Sequence, residues 1–131
     1  SLNFNQFVKQ NKYDYLFVCH PFRLLTEFNS LKKLNKKLIL PKFKILNKIN
    51  KNPVLSIFYN FIQGNKLIIK KNYCSYSKNL VLIYALSFCL EKKIKEINIY
   101  GLSNNKSNNE IVKIFNNYIK KTRSKTLIKV I

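Results

Sequence analysis

The run Tyr15-Leu16-Phe17-Val18-Cys19 is apolar without a break, the pattern of a strand covered on both faces. Pro21 follows at a first-turn helical position, where its missing N–H costs nothing. Phe22, Leu24, Leu25, Phe28, Leu31 and Leu34 then recur at roughly helical spacing. Leu38-Ile39-Leu40 reads as a short second strand ended by Pro41, with a Lys/Asn-rich connector running on to Asn52. Residues 54–58 and 67–69 are β-like around a Gln63-Gly64-Asn65 turn. A helix is predicted from about residue 78 to 93, capped by Ser75 or Ser77. Its apolar residues go almost all the way round, so it should be deeply packed. Residues 96–100 form a strand ended by Gly101, and 104–109 a polar loop. An amphipathic helix over 110–121 runs through Ile111, Ile114, Phe115, Tyr118 and Ile119, and a last strand covers 127–131.

Strands alternating with helices argue for an α/β layered domain, with a mostly parallel sheet flanked by helices. At 131 residues the chain is one domain, spanning 1–131, and long enough to bury a real core. Hydrophobic residues make up 47% and aromatics 14%, too apolar for a disordered basic tail. The longest apolar run, Leu80 to Leu90, is far short of the roughly 20 residues of a membrane span. The start of the chain has no basic segment followed by an apolar one, so no signal peptide is read and no membrane partner is expected. Cys19, Cys74 and Cys89 lack metal-ligand spacing, and His20 is the only histidine. The expectation is a cytoplasmic protein with free thiols, no metal and no cofactor.

Charge complicates this picture. Lys+Arg 25 against Asp+Glu 5 gives +20, a balance that suggests nucleic acid or an anionic surface. Only Arg23 and Arg123 are arginines, although arginine is the preferred residue for bidentate base and phosphate contacts. The chain is also crowded with Lys, Asn, Ile, Phe and Tyr, the residues of AT-rich codons. Compositional drift therefore accounts for the charge better than polyanion binding does. A nucleic-acid-binding role would show as lysines grouped on one face and an affinity that falls steeply with salt.

Candidate chemistry concentrates at the first strand–helix junction. Ligands of open α/β sheets bind at the carboxyl ends of strands. Helix N-termini there offer free N–H groups to anions. Arg23 suits a bidentate phosphate or carboxylate clamp, and His20 a hydrogen bond or proton shuttle. The plainer alternative has His20 capping the helix and Arg23 pairing with Glu27. Cys19 is a weak nucleophile candidate because it ends an apolar strand. Gly101, Ser103, Asn104 and Lys106 follow another strand, and either hold a polar ligand or form an ordinary solvated loop, the reading favoured. Ser75-Tyr76-Ser77-Lys78-Asn79 reads as simple capping. No Walker motif, GxGxxG, HExxH or GxSxG occurs, and the scattered acidic residues give a carboxylate-pair mechanism nothing to stand on.

Taken in order, Tyr13-Asp14-Tyr15, Cys19-His20-Pro21-Phe22-Arg23-Leu24-Leu25, Leu38-Ile39-Leu40-Pro41, Leu82-Ile83-Tyr84-Ala85-Leu86-Ser87 and Glu96-Ile97-Asn98-Ile99-Tyr100-Gly101 form a pattern. It resembles the C-terminal domain behind the catalytic barrel of bacterial 4-hydroxy-2-oxovalerate aldolase-like proteins, of the HMG-CoA-lyase-like aldolase group. The resemblance covers roughly residues 2–131, and the CHPxRLL element is its most specific part. It implies a Rossmann-like domain, here an incomplete fragment, since the family's Gly-rich strand–turn would precede Ser1. It implies an accessory role in sugar or cell-surface metabolism beside an aldolase barrel, with an anionic small molecule such as a sugar phosphate or nucleotide-sugar as ligand. The barrel and its metal-binding residues are absent from this chain, so aldol cleavage by it alone is not expected. Where the family has G-F-D-G-Y, this chain has Gly101-Leu102-Ser103-Asn104-Asn105; the resemblance sets Glu110 against a later family glutamate. Two other classes compete: a basic nucleic-acid-binding module such as a ribosomal protein from an AT-rich genome, and a structural or dimerisation domain forming a homo-oligomer through exposed apolar surface.

Overall fold

In the computed structural model, which describes residues 15–33, 37–42, 56–78 and 80–131, strand β1 (Tyr15–Phe17) leads into helix α1 (Pro21–Lys33) and then strand β2 (Lys37–Leu40). The side chains of Arg23, Lys32 and Ser56 lie outside the described residues. β1 and β2 are parallel, with Leu16 opposite Leu38 and Phe17 opposite Ile39, and the Val18 amide extends the ladder to the Ile39 carbonyl at 3.0 Å. Alternation along a strand sends Leu16 and Val18 to one face, and Leu38 and Leu40 likewise. Leu24, Phe28 and Leu31, spaced four and three apart on α1, close over that face to form the buried cluster of this β–α–β unit.

Strand β3 (Ser56–Phe58) pairs parallel with β2, Leu40 facing Phe58. Strand β4 (Asn60–Gln63) follows after Tyr59 alone and pairs parallel with β6 (Tyr73–Tyr76). The short strand β5 (Ile68–Ile69) lies antiparallel on the other edge of β6. Successive amides of an extended chain point to opposite edges. The Tyr59 amide accordingly donates to the Leu40 carbonyl at 3.1 Å, and the Asn60 amide to Asn72 at 2.8 Å. The two three-stranded ladders, β1-β2-β3 and β4-β6-β5, therefore meet at Tyr59, where the strand changes partner.

Helix α2 (Val81–Glu91) is apolar around most of its circumference, and Leu82 through Phe88 are all buried. The chain divides into two compact units, residues 1–85 and 86–131. The second contains strand β7 (Glu96–Ile99), helix α3 (Lys106–Thr122) and strand β8 (Leu127–Val130), with β7 and β8 parallel. It is thus another β–α–β crossover, and Ile111, Phe115 and Ile119 form the buried stripe of α3.

The α/β class and the largely parallel pairing agree with the sequence, but several boundaries move. α2 begins at Val81 rather than about 78, and Ser75 is not its cap: it is buried within β6. Tyr73-Cys74-Ser75-Tyr76 is a strand because its backbone pairs on both edges, which outweighs the turn preference of serine. α3 begins at Lys106, so residues 106–109 are helical rather than loop, because Asn105 caps them. β7 ends at Ile99 and β8 at Val130, each one residue early. Leu34, most of the connector to Asn52, and residues 54 and 55 lie outside the described residues.

Gly64 shows how tightly β4 and β6 approach. Its amide donates to the Tyr76 carbonyl at 3.0 Å, and a Cβ built there would lie 2.2 Å from Ser75 Oγ but 3.6 Å from Ser75 Cβ. Gly64→Ala is expected to lower stability by about 1–3 kcal/mol, and Ser75→Ala in the same chain to recover most of that loss. Urea unfolding of the two single variants and the double variant checks this; purely additive losses would show that the hydroxyl is not the obstacle.

Candidate functional site

The exits of β1 and β2 bring candidate side chains to the carboxyl edge of the β1-β2-β3 ladder. After β1 come buried Cys19 and exposed His20. The His20 carbonyl accepts from the Leu24 amide at 3.2 Å, so His20 occupies the N-cap position and Pro21 opens the helix. Its imidazole lies 5.8 Å from the ring of Phe22, which is 71% exposed. Arg23 is in the same helical turn by its backbone, while its side chain, and with it the expected pairing to Glu27, lies outside the described residues. After β2 come buried Pro41 and exposed Lys42, whose amide donates to Asn60 Oδ1 at 2.8 Å. This edge thus carries His20, the α1 N-terminus and Lys42. Lys42 was not singled out from sequence, although its position directly after a strand-ending proline was the available signal.

Beneath the edge, Tyr84 Oη donates to the Tyr59 carbonyl, and the two rings lie 5.6 Å apart at 45°. Phe17 meets Tyr84 edge-on at 6.2 Å. Burial, reinforced by Cys74, Cys19 and Tyr59, pushes the Tyr84 phenol well above its ordinary range. Burial also pushes the Cys19 thiol up, against a smaller opposing effect of a backbone hydrogen bond, and burial raises Cys89. A thiol held protonated in a packed layer is a poor nucleophile. Cys19 is part of the floor under the site.

The second sequence candidate falls in the other unit. Gly101 takes φ +67 with open space around it, and its conformation turns the chain out of β7. Ser103 Oγ accepts from the side-chain amides of Asn105 and Asn108, both at 2.9 Å. Asn104 Oδ1 accepts from Asn109 Nδ2 at 2.8 Å, and Asn105 Oδ1 from the Asn108 amide at 2.8 Å. Lys106 is exposed as the first residue of α3. The hydrogen bonding of Ser103, Asn104 and Asn105 is that of an elaborated helix cap. His20 and Arg23 belong to residues 1–85, and Gly101, Ser103, Asn104 and Lys106 to residues 86–131.

Among the described residues no group of three His, Cys, Asp or Glu could hold a metal ion. No family model, curated protein or solved structure matches the chain.

Two outcomes follow from the packed floor and the cap. The raised thiols hold their protons more tightly folded than unfolded. Their contribution to stability is full below the unfolded thiol value of about 8.5 and is lost as pH rises from there toward their folded values. Unfolding midpoints should therefore fall above pH ~8.5, with Cys19 resisting a thiol reagent until denaturant is added; a thiol that reacts at once in the native protein would reverse the assignment of Cys19. Asn105→Ala should destabilise the chain by about 1 kcal/mol through the lost cap, measured by thermal or urea unfolding.

Proposed function

We propose that this chain is a Rossmann-like accessory domain of an aldolase-like protein, and that it binds an anionic small molecule at the carboxyl edge of its first sheet. A sugar phosphate or nucleotide-sugar is the ligand class that the resemblance implies. The observation that carries the proposal is the parallel β1–α1–β2 unit, with exposed His20 at the N-cap of α1 and exposed Lys42 at the exit of β2. A helix N-terminus presents unpaired N–H groups and a positive dipole end. One imidazole and one ammonium beside it make a setting suited to a single phosphate or carboxylate group. Arg23, in the first turn of α1, is assigned the clamp.

The Gly101–Lys106 loop is left out of this site, because Ser103 and Asn104 are engaged by the α3 cap. No reaction is assigned to the chain: Cys19 is held protonated, and the carboxylates are dispersed along the sequence. The role is binding, with catalysis left to a barrel partner of the kind the resemblance implies.

A thermal-shift titration of the chain at low and moderate salt tests the reading, with sugar phosphates and nucleotide-sugars as probes. Stabilisation by one of them should survive moderate salt, since a clamped pair is screened less than surface charges. Arg23→Ala should weaken that binding by more than about tenfold, and His20→Ala should weaken it measurably. No shift with any small anion, or identical affinity in both variants, would remove this edge as a ligand site.

A further inference from the structure

At the amino end of the β7–β8 pair, the second unit brings two cationic turns together. The turn after α2 (residues 92–95) and the turn after α3 (residues 123–126) are stapled by hydrogen bonds. Thr126 Oγ1 donates to the Ile94 carbonyl at 2.7 Å, and the Leu127 amide to the Lys95 carbonyl at 2.8 Å. Ser124 Oγ bonds the Thr126 hydroxyl at 3.1 Å and holds the second turn in shape. These bonds join the turn that carries Lys93 and Lys95 to the turn that carries Arg123 and Lys125, with Lys120 and Lys121 in the helical turn before it, all exposed. Both carboxylates at this end are already engaged: Glu91 pairs with Lys92 at 2.9 Å, and Glu96 with Lys129 at 3.1 Å.

Helix ends explain only part of this gathering. Lys120 and Lys121 lie in the last turn of α3, where cations complement the dipole. Arg123 is the C-cap of α3, its amide bonded to the Ile119 and Lys120 carbonyls, and the Lys93 amide closes α2 on the Leu90 carbonyl, while Lys95 and Lys125 lie beyond the helices. Lys93 and Arg123 moreover take φ 55 and 54, and they are the non-glycine residues of positive φ among the described residues. That backbone region favours glycine or asparagine at a helix exit. Compositional drift toward AT-rich codons would supply asparagine as readily as lysine. Long cations at both left-handed positions are what a use for the charge would require.

Two aliphatic side chains are exposed amid these cations: Ile94 at 42% in the first turn and Leu127 at 51% next to the second. Clustered lysines around exposed aliphatics are the chemistry of a surface that settles on anionic lipid. Base readout and single-strand binding favour arginine forks and stacking aromatics, whereas five of these six cations are lysine and none of the cluster is aromatic. We propose that this end of the second unit docks peripherally on an anionic bilayer, the six cations on headgroups and Ile94 and Leu127 at the acyl boundary. The sequence expectation of no membrane partner rested on the absence of a span. No helix among the described residues is long and apolar enough to cross a membrane, and a peripheral surface needs none.

Vesicle co-sedimentation of the whole chain tests this, with phosphatidylcholine alone against phosphatidylcholine mixed with phosphatidylglycerol. Binding is expected only to the anionic vesicles, and it should fall steeply with added salt. Lys93→Asn, Lys95→Ser, Arg123→Asn and Lys125→Ser combined should weaken it on the order of several hundredfold, roughly fivefold per cation. Asparagine suits the left-handed positions, so urea unfolding of this variant should be no less stable than the parent, which separates lost binding from lost folding. Ile94→Asn should also weaken vesicle binding, with net charge unchanged, while leaving retention by a DNA oligonucleotide as it was. Equal binding to both vesicle types, full binding by the fourfold variant, or DNA binding with vesicle binding indifferent to Ile94→Asn would each overturn the proposal, the last in favour of nucleic acid.

Discussion

Tyr59 is the residue on which the first unit depends. Its amide completes the ladder to β2, the next amide opens the ladder to β6, and its own carbonyl receives the Tyr84 hydroxyl. A buried phenol without an acceptor would cost about 1–3 kcal/mol, so α2 is anchored where the strand changes partner. The same change of partner brings Asn60 within reach of the Lys42 amide, which ties the exit of β2 to the edge above. The carboxyl edge is therefore positioned from below by an aromatic layer.

The first crossover was legible in the sequence because period and punctuation agree there. An unbroken apolar run, a proline at the helix start and leucines at helical spacing all describe the same β–α–β unit. The segment 73–76 was not legible. Its tyrosines, cysteine and serine have no strong period, and pairing with β4 on one edge and β5 on the other decides its state. The start of α3 was misread for a related reason: asparagine and serine are turn residues by propensity, yet Asn105 uses that same hydrogen-bonding habit to begin a helix. The candidate site divides the same way. His20 at a strand exit was readable from the junction, whereas the engagement of Ser103 and Asn104 depends on partners five residues on.

Net charge alone could not separate drift from function, because a codon bias scatters lysine without regard to geometry. Two features of the folded chain bear on the question. Lys93 and Arg123 stand where the backbone prefers a residue that the same codon bias would supply freely. Their neighbours across the Thr126–Ile94 staple include further cations, while Glu91 and Glu96 at this end are paired with Lys92 and Lys129.

Helix polarity links the two assignments. In each crossover the helix follows a parallel strand, so its N-terminus lies toward the strands' carboxyl ends and its C-terminus toward their amino ends. The carboxyl edge of the first unit supplies N–H groups and a positive dipole end, and so needs few cations to attract one small anion. The amino edge of the second unit presents helix carbonyls and a negative dipole end, which would repel an anion. Lys120 and Lys121 offset that dipole, Arg123 caps it, and Lys95 and Lys125 add charge beyond the helix ends. A surface that holds such an excess, with aliphatic side chains exposed among the charges, is suited to many anionic groups spread over a plane rather than to one small ligand.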